Sequence, residues 1–318
     1  MKKRKLGKTQ MEISEIAFGG VEIGIPYGIG IKSAADMPTE QEAINLLHAS
    51  ANAGINFFDT ARSYGNSEAI MGKAFAGRRQ EVIFSTKCRH FRDKDGKMVS
   101  ENTIKKLIED SLAESLFALQ TDYLDIFMLH QADLEILDNQ TITEIFKDIK
   151  SKGITRAIGA STYTTQETEK AIQSGTWDVV QLPFNLMDQR QSELFDIAEK
   201  KEVGIMVRSV LLKGLLSDRG KNLHPALRDV QSHIKRYDEL LGARFPDLPT
   251  LAIKFALSFE QVTSVLIGMD RMDYLHQSLK TADGKYLDKD QIQKAQHLAY
   301  PDQAFLNLPY WDRMGWLT

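Results

Sequence analysis

The 318-residue chain has one cysteine, Cys88. That excludes an intramolecular disulfide and a cysteine-held metal cluster. It leaves Cys88 reading as a small buried hydrophobe. No run of about 18 apolar residues occurs, so no membrane-spanning helix is expected. The basic start (Lys2, Lys3, Arg4, Lys5) lacks the apolar stretch that a secretory signal carries behind it. A cytoplasmic location is therefore expected. The formal net charge of −3 gives no global positive field for nucleic acid or an anionic membrane. His90, His224 and His233 are scattered without metal-ligand spacing, and no metal is expected. A glycine-rich dinucleotide fingerprint is missing too. Gly28-Ile29-Gly30 lacks the third glycine and opens no helix.

What is present is 42% apolar and 26% charged residues, the balance of a soluble globular protein. The length suits one large domain over 1–318. Its recurring unit is an amphipathic helix, a glycine and a short apolar run. In residues 39–52, Thr39 and Glu42 form a capping box. Ala43, Leu46, Leu47, Ser50 and Ala51 share one face, and Gly54 ends the helix. Strand candidates at 16–18, 55–58, 83–86, 124–129, 154–158, 179–181, 205–207 and 264–267 bring the count to eight. Eight βα units point to a closed (β/α)₈ barrel rather than an open sheet. Two insertions, 19–37 and 211–249, each follow a strand and should lie over the barrel's C-terminal mouth.

Ionisable residues stand at three successive strand ends. Asp59 ends the second strand, with Tyr64 five residues on; Lys87 ends the third and His130 the fourth. Singly, each has a structural reading: helix cap, loop aromatic, rim charge, hydrogen-bonded histidine. Together they suit proton transfer to an alkoxide as hydride arrives. Tyr64 would be the general acid, and Lys87 would favour its phenolate. Asp59 would hold Lys87, and His130 would polarise the carbonyl. A Schiff-base lyase using Lys87 would leave Asp59 and Tyr64 without a task.

The segment Asp59-Thr60-Ala61-Arg62-Ser63-Tyr64-Gly65-Asn66-Ser67-Glu68, with Lys87 and His130 after it, resembles the aldo-keto reductase superfamily. The likeness runs from Gly19-Gly20 to Leu279 and is nearer the bacterial and channel-β-subunit-like branches than the aldose reductases. It implies an α/β fold, a (β/α)₈ TIM barrel with an N-terminal β-hairpin and long loops over the C-terminal mouth. It also implies NADPH bound without a Rossmann domain, and an NAD(P)H-dependent reduction of an aldehyde or ketone. A slow-turnover NADP(H)-binding regulatory subunit is the alternative, and homo-oligomerisation stays open.

The resemblance also assigns cofactor positions. Gly20 stands at the first strand's end. Ser161 and Thr162 stand where the family holds the nicotinamide carboxamide with Ser and Asn, and Gln181 matches its glutamine. Arg208 replaces a stacking aromatic. Ser209, Leu211, Lys213 and Gly214 fit the pyrophosphate loop. Gly268, Arg271, Gln277 and Ser278 fall at the adenosine end. Arg271 is the one cation found there for a 2′-phosphate, and Asp270 is its neighbour, so NADH stands beside NADPH. Phe184 is a candidate pocket residue. Arg89, His90 and Arg92 suit a sugar-like or anionic carbonyl substrate. The aromatic tail, 309–316, is expected to pack on the barrel or a partner subunit, and Arg156 reads as a structural charge.

Overall fold

The computed structural model describes residues 1–317. Strands β1 (Lys3–Lys5) and β2 (Glu12–Ser14) form an antiparallel hairpin. The next eight are β3 (Ile16–Gly19), β4 (Phe57–Asp59), β5 (Ile83–Lys87), β6 (Leu124–Leu129), β7 (Thr155–Ser161), β8 (Val179–Pro183), β9 (Gly204–Arg208) and β10 (Val262–Gly268). They close into a barrel, each parallel to both neighbours, and β10 pairs with β3 to shut it. The expected eight strands and hairpin are thus present. Around the barrel lie α1 (Glu40–Asn52), α2 (Ser67–Ala74), α3 (Glu101–Ala118), α4 (Leu134–Asp138), α5 (Gln140–Ser151) and α6 (Thr165–Gln173). They are followed by α7 (Phe195–Lys200), α8 (Arg228–Ile234), α9 (Leu248–Leu257), α10 (Met272–Thr281), α11 (Lys289–His297) and α12 (Leu308–Arg313). None of these helices is long and apolar enough to cross a membrane.

Strand alternation divides the core in two. Ala17, Phe57, Ile126, Met128, Ala157, Val179, Met206 and Leu266 form the inner cluster, closed below by Leu6, Met11 and Ile13 of the hairpin region. The residues between them, such as Phe18, Phe58, Phe127, Ile158, Val180 and Val207, face the helices in a second cluster. Counting onward from the inner set by twos reaches Asp59, Ser161, Gln181 and Arg208 at the C-terminal ends. Each therefore points inward at the mouth. One helix shows how the outer layer is fixed: Thr39 and Glu42 cap α1 reciprocally, and α1 buries Ala43, Leu46, Leu47 and Ser50.

Several smaller expectations are settled by the packing. Phe184 does not reach the mouth. It is fully buried among Phe195, Phe255 and Phe259. Arg156 lies on the outer face of β7, half exposed, and its guanidinium is 2.9 Å from Asp125. The tail packs on its own chain, with Trp311 wholly buried beside Phe305.

Candidate active site

A cleft opens at the C-terminal end of the barrel, walled by the loop after β3, the ends of β4 and β6 to β10, and the segment 208–219. Asp59, Tyr64 and His130 lie on its wall, and Lys87 lies fully buried behind them. Lys87 Nζ donates to Asp59 Oδ2 at 2.6 Å and to the Thr60 carbonyl at 2.9 Å. The other Asp59 oxygen, Oδ1, accepts from Gln181 Nε2 at 2.9 Å. Asp59 thus joins the lysine to a residue expected at the nicotinamide end. The Tyr64 ring sits 5.2 Å from Lys87 Nζ and edge-on to His130 at 5.4 Å.

The loop carrying Tyr64 is clamped from below. Glu68, at the start of α2, is buried and accepts hydroxyl bonds from Thr86 and Ser115, both at 2.6 Å. It also pairs with Arg62. From above, Gly24 lies directly against the Tyr64 carbonyl, where a Cβ would overlap it.

Burial sets the protonation states. It raises the Tyr64 phenol well above its ordinary value, and the Asp59 charge adds to this. It lowers Lys87, against the opposing pull of the Asp59 carboxylate. It holds His130 well below the usual imidazole value, helped by the Lys87 charge and His90. His130 is therefore neutral near pH 7. The Ser63 hydroxyl is 3.1 Å from its Nδ1, and a bond donated there leaves the ring proton on Nε2.

The expected cofactor residues separate into two groups. Gly20, Ser161, Gln181, Arg208, Ser209, Leu211, Lys213, Gly214, Gly268, Gln277 and Ser278 all line the cleft. Thr162 and Arg271 do not. The Thr162 hydroxyl turns away to Thr168, 2.6 Å distant, and its carbonyl accepts from Arg208 at 2.8 Å. The Arg271 guanidinium lies over Tyr274 at 4.8 Å, and its Nε is 3.5 Å from Asp270. Among the lining residues, Ser209, Leu212, Lys213 and Gly214 all adopt positive φ, between 48° and 95°. Backbone strain of this kind concentrates at ligand clamps. Lys213 pairs there with Asp312 of α12 and lies over the Tyr27 ring at 4.7 Å.

Other contributors to the wall were not singled out in the sequence, Asp270 excepted. Tyr163 supports Arg208, whose guanidinium lies 4.2 Å above its ring. Tyr27 and Glu22 come from the loop after β3, Arg219 from the segment after β9, and Asp270 and Tyr274 from the segment after β10. The arginines expected to hold an anionic substrate are engaged elsewhere. Arg89 donates to Glu114 at 2.5 Å, and Arg92 to Asp133 and Glu135 at 2.8 Å each. His90 bonds Gln131. None of the three lines the cleft.

A family model, described as the aldo/keto reductase family, matches residues 15–299. The chain belongs to the aldo/keto reductase family. The "Uncharacterized oxidoreductase YqkF" of Bacillus subtilis is 26% identical over 93% of this chain and 96% of its own length. The "NADH-specific methylglyoxal reductase" of Escherichia coli is 27% identical, covering 91% and 96%. Among solved structures, aldo-keto reductase AKR11C1 from Bacillus halodurans in its holo form superposes with a TM-score of 0.79 at 27% identity. That match covers 94% of this chain and 96% of the other. Membership in the aldo/keto reductase family makes the chain an oxidoreductase, and the family's barrel is the one described here. The family generally binds nicotinamide cofactors, and its fold suggests small carbonyl compounds as substrates.

Proposed function

We propose that this cleft reduces an aldehyde or ketone to an alcohol with a nicotinamide dinucleotide, Tyr64 supplying the proton. The observation that carries the reading is the linked set Tyr64–Lys87–Asp59–Gln181, in which the lysine is buried and hydrogen-bonded to the carboxylate.

The residues fit such a cofactor. Gln181 and Ser161 offer amide and hydroxyl groups at the inner end, and Lys213 and Arg219, paired with Asp312 and Asp270, stand beside the strained segment 209–214. Gln277 and Ser278 stand at the far end. When bound, the nicotinamide supplies hydride to the carbonyl carbon. Neutral His130 donates from Nε2 to the carbonyl oxygen and stabilises the charge that grows there. The Tyr64 phenol gives its proton to the same oxygen, completing the alcohol. Its raised pKa keeps that proton in place at neutral pH. The Lys87 cation stabilises the phenolate left behind, and Asp59 keeps Lys87 charged and aimed. Arg208, over the Tyr163 ring, forms one side of the carbonyl pocket. Tyr27, Tyr163 and His130 bring polar groups to the mouth, which suits a small hydroxylated carbonyl compound.

The test is oxidation of NADH or NADPH by the purified protein over aldehydes, ketones and keto-sugars. Tyr64→Phe is expected to cost about 10²–10⁴ in kcat while still binding the dinucleotide. A Tyr64→Phe enzyme as fast as wild type would overturn the assignment.

A further inference from the structure

We infer that Glu22 and Asp270 together make the cleft discriminate against a 2′-phosphate, so that its dinucleotide is NADH rather than NADPH. This rests on the reductase reading above and names its cofactor.

The two acids come from opposite ends of the sequence and meet because β10 closes on β3. Gly268 ends β10, and the Glu22 carboxylate fills the space that a side chain would take there. Asp270 follows two residues later, on the same wall as Tyr274, Gln277 and Ser278. Its side chain is only 8% exposed. Glu22 Oε2 and Asp270 Oδ1 are both buried without a hydrogen-bond partner.

The nearby cations are already committed. Arg219 donates to Asp270 Oδ2 at 2.9 Å. Arg271 does not line the cleft; its Nε lies 3.5 Å from Asp270 Oδ1 and its side chain is 55% exposed. Lys213 is held by Asp312, and Arg208 by the Thr162 carbonyl and Tyr163. A phosphate monoester would bring a charge of about −1.5 to −2 to a wall whose cations, Arg219 and Arg271, are already paired with Asp270, and above pH 8 it would also meet the Glu22 carboxylate. Like charges placed together in this way supply specificity. A ribose diol offers the opposite match. Its two hydroxyls are donors, and Glu22 Oε2 and Asp270 Oδ1 are oxygens without a hydrogen-bond partner.

Burial pushes the Glu22 carboxyl up to about 8, and the Asp270 charge adds to the shift while Arg219 opposes it. Tyr27 is the other titrating group nearby, and burial raises its phenol so that it stays neutral. A 2′-phosphate is largely doubly charged above its own pKa of about 6. The discrimination should therefore widen as pH rises through 8 and Glu22 ionises.

The experiment is calorimetric titration of wild-type protein with 5′-ADP, 2′,5′-ADP, NADH and NADPH below and above pH 8. The forms without 2′-phosphate should bind at least about tenfold tighter, with a wider gap at the higher pH. In Glu22→Gln/Asp270→Asn, checked for folding by circular dichroism, the gap should shrink about tenfold and lose its pH dependence. Wild-type protein that binds 2′,5′-ADP and NADPH as tightly as their partners overturns the inference and leaves the reductase reading standing. Wild-type protein that binds neither dinucleotide overturns both.

Discussion

Lys87 carries its charge without water. Its Nζ reaches the Asp59 carboxylate and the Thr60 carbonyl, and both contacts offset the desolvation that pulls its pKa down. From sequence, a lysine near Tyr64 suggests a depressed phenol. In the folded chain, burial and the Asp59 charge raise it instead. The difference suits an acid, which must hold its proton until the oxygen becomes basic. Glu22 shows the same desolvation without a matching cation of its own. An unfolded glutamate titrates near 4.5, and in the fold Glu22 is pushed up to about 8. Between those values the folded chain binds the extra proton, so this group's contribution to stability falls as pH rises and levels off above 8. Glu22→Gln removes the titration. Its Tm should differ least from wild type near pH 4.5 and gain on it up to pH 8. Thermal unfolding across that range checks this, and an offset independent of pH would mean that Glu22 ionises in the fold as it does in water.

The active-site elements meet through close backbone contacts. The loop after β3 crosses the loop after β4 where Gly24 lies against the Tyr64 carbonyl and Gly65 turns at φ 51°. A methyl group on Gly24 must push one loop off the other. Overpacking of this kind costs about 1–3 kcal/mol, and here the displaced group is the proposed proton donor. Gly24→Ala should therefore lower kcat by about tenfold or more, with a measurable fall in the urea midpoint. Unchanged kcat alongside lowered stability would show that Tyr64 is positioned from below, through Glu68, and not by this crossing. The strands themselves were legible because parallel barrel strands are continuous apolar runs, half of them here opened by glycine. Asp59, Lys87 and His130 were legible because each closes such a run. Glu22 was not. A carboxylate in Val21-Glu22-Ile23 reads as solvated until β3 and β10, far apart in sequence, become neighbours. Arg89 and Arg92 misled for the same reason, since Glu114 on α3 and Glu135 on α4 neutralise them only in the fold. Phe184 was misplaced because it falls on the outward parity of β8, where Phe195, Phe255 and Phe259 bury it.

At the scale of the molecule, both chain ends close the barrel. At the bottom, the hairpin region inserts Leu6, Met11 and Ile13, and Arg4 ties it to the carbonyls of Leu257, Phe259 and Val262 at 2.7–2.9 Å. At the top, the tail returns across the mouth and α12 is anchored by buried Trp311. This places Asp312 on Lys213. The pair is partly exposed, so its own stabilising effect is small, about 0–1 kcal/mol. Its larger consequence is competition. Under the proposed function, a pyrophosphate binding at Lys213 must first displace a carboxylate that is tethered through the C-terminal segment. Asp312→Asn removes that competitor and leaves Trp311 in place. 5′-ADP should then bind up to about fivefold tighter. The advantage should shrink as salt screens the exposed charges, and Tm should move little. Titration of the variant at low and high ionic strength measures both effects. Weaker binding would mean that Asp312 holds Lys213 in its binding position, and the tail would then be a support for the cofactor segment and not a rival for its charge.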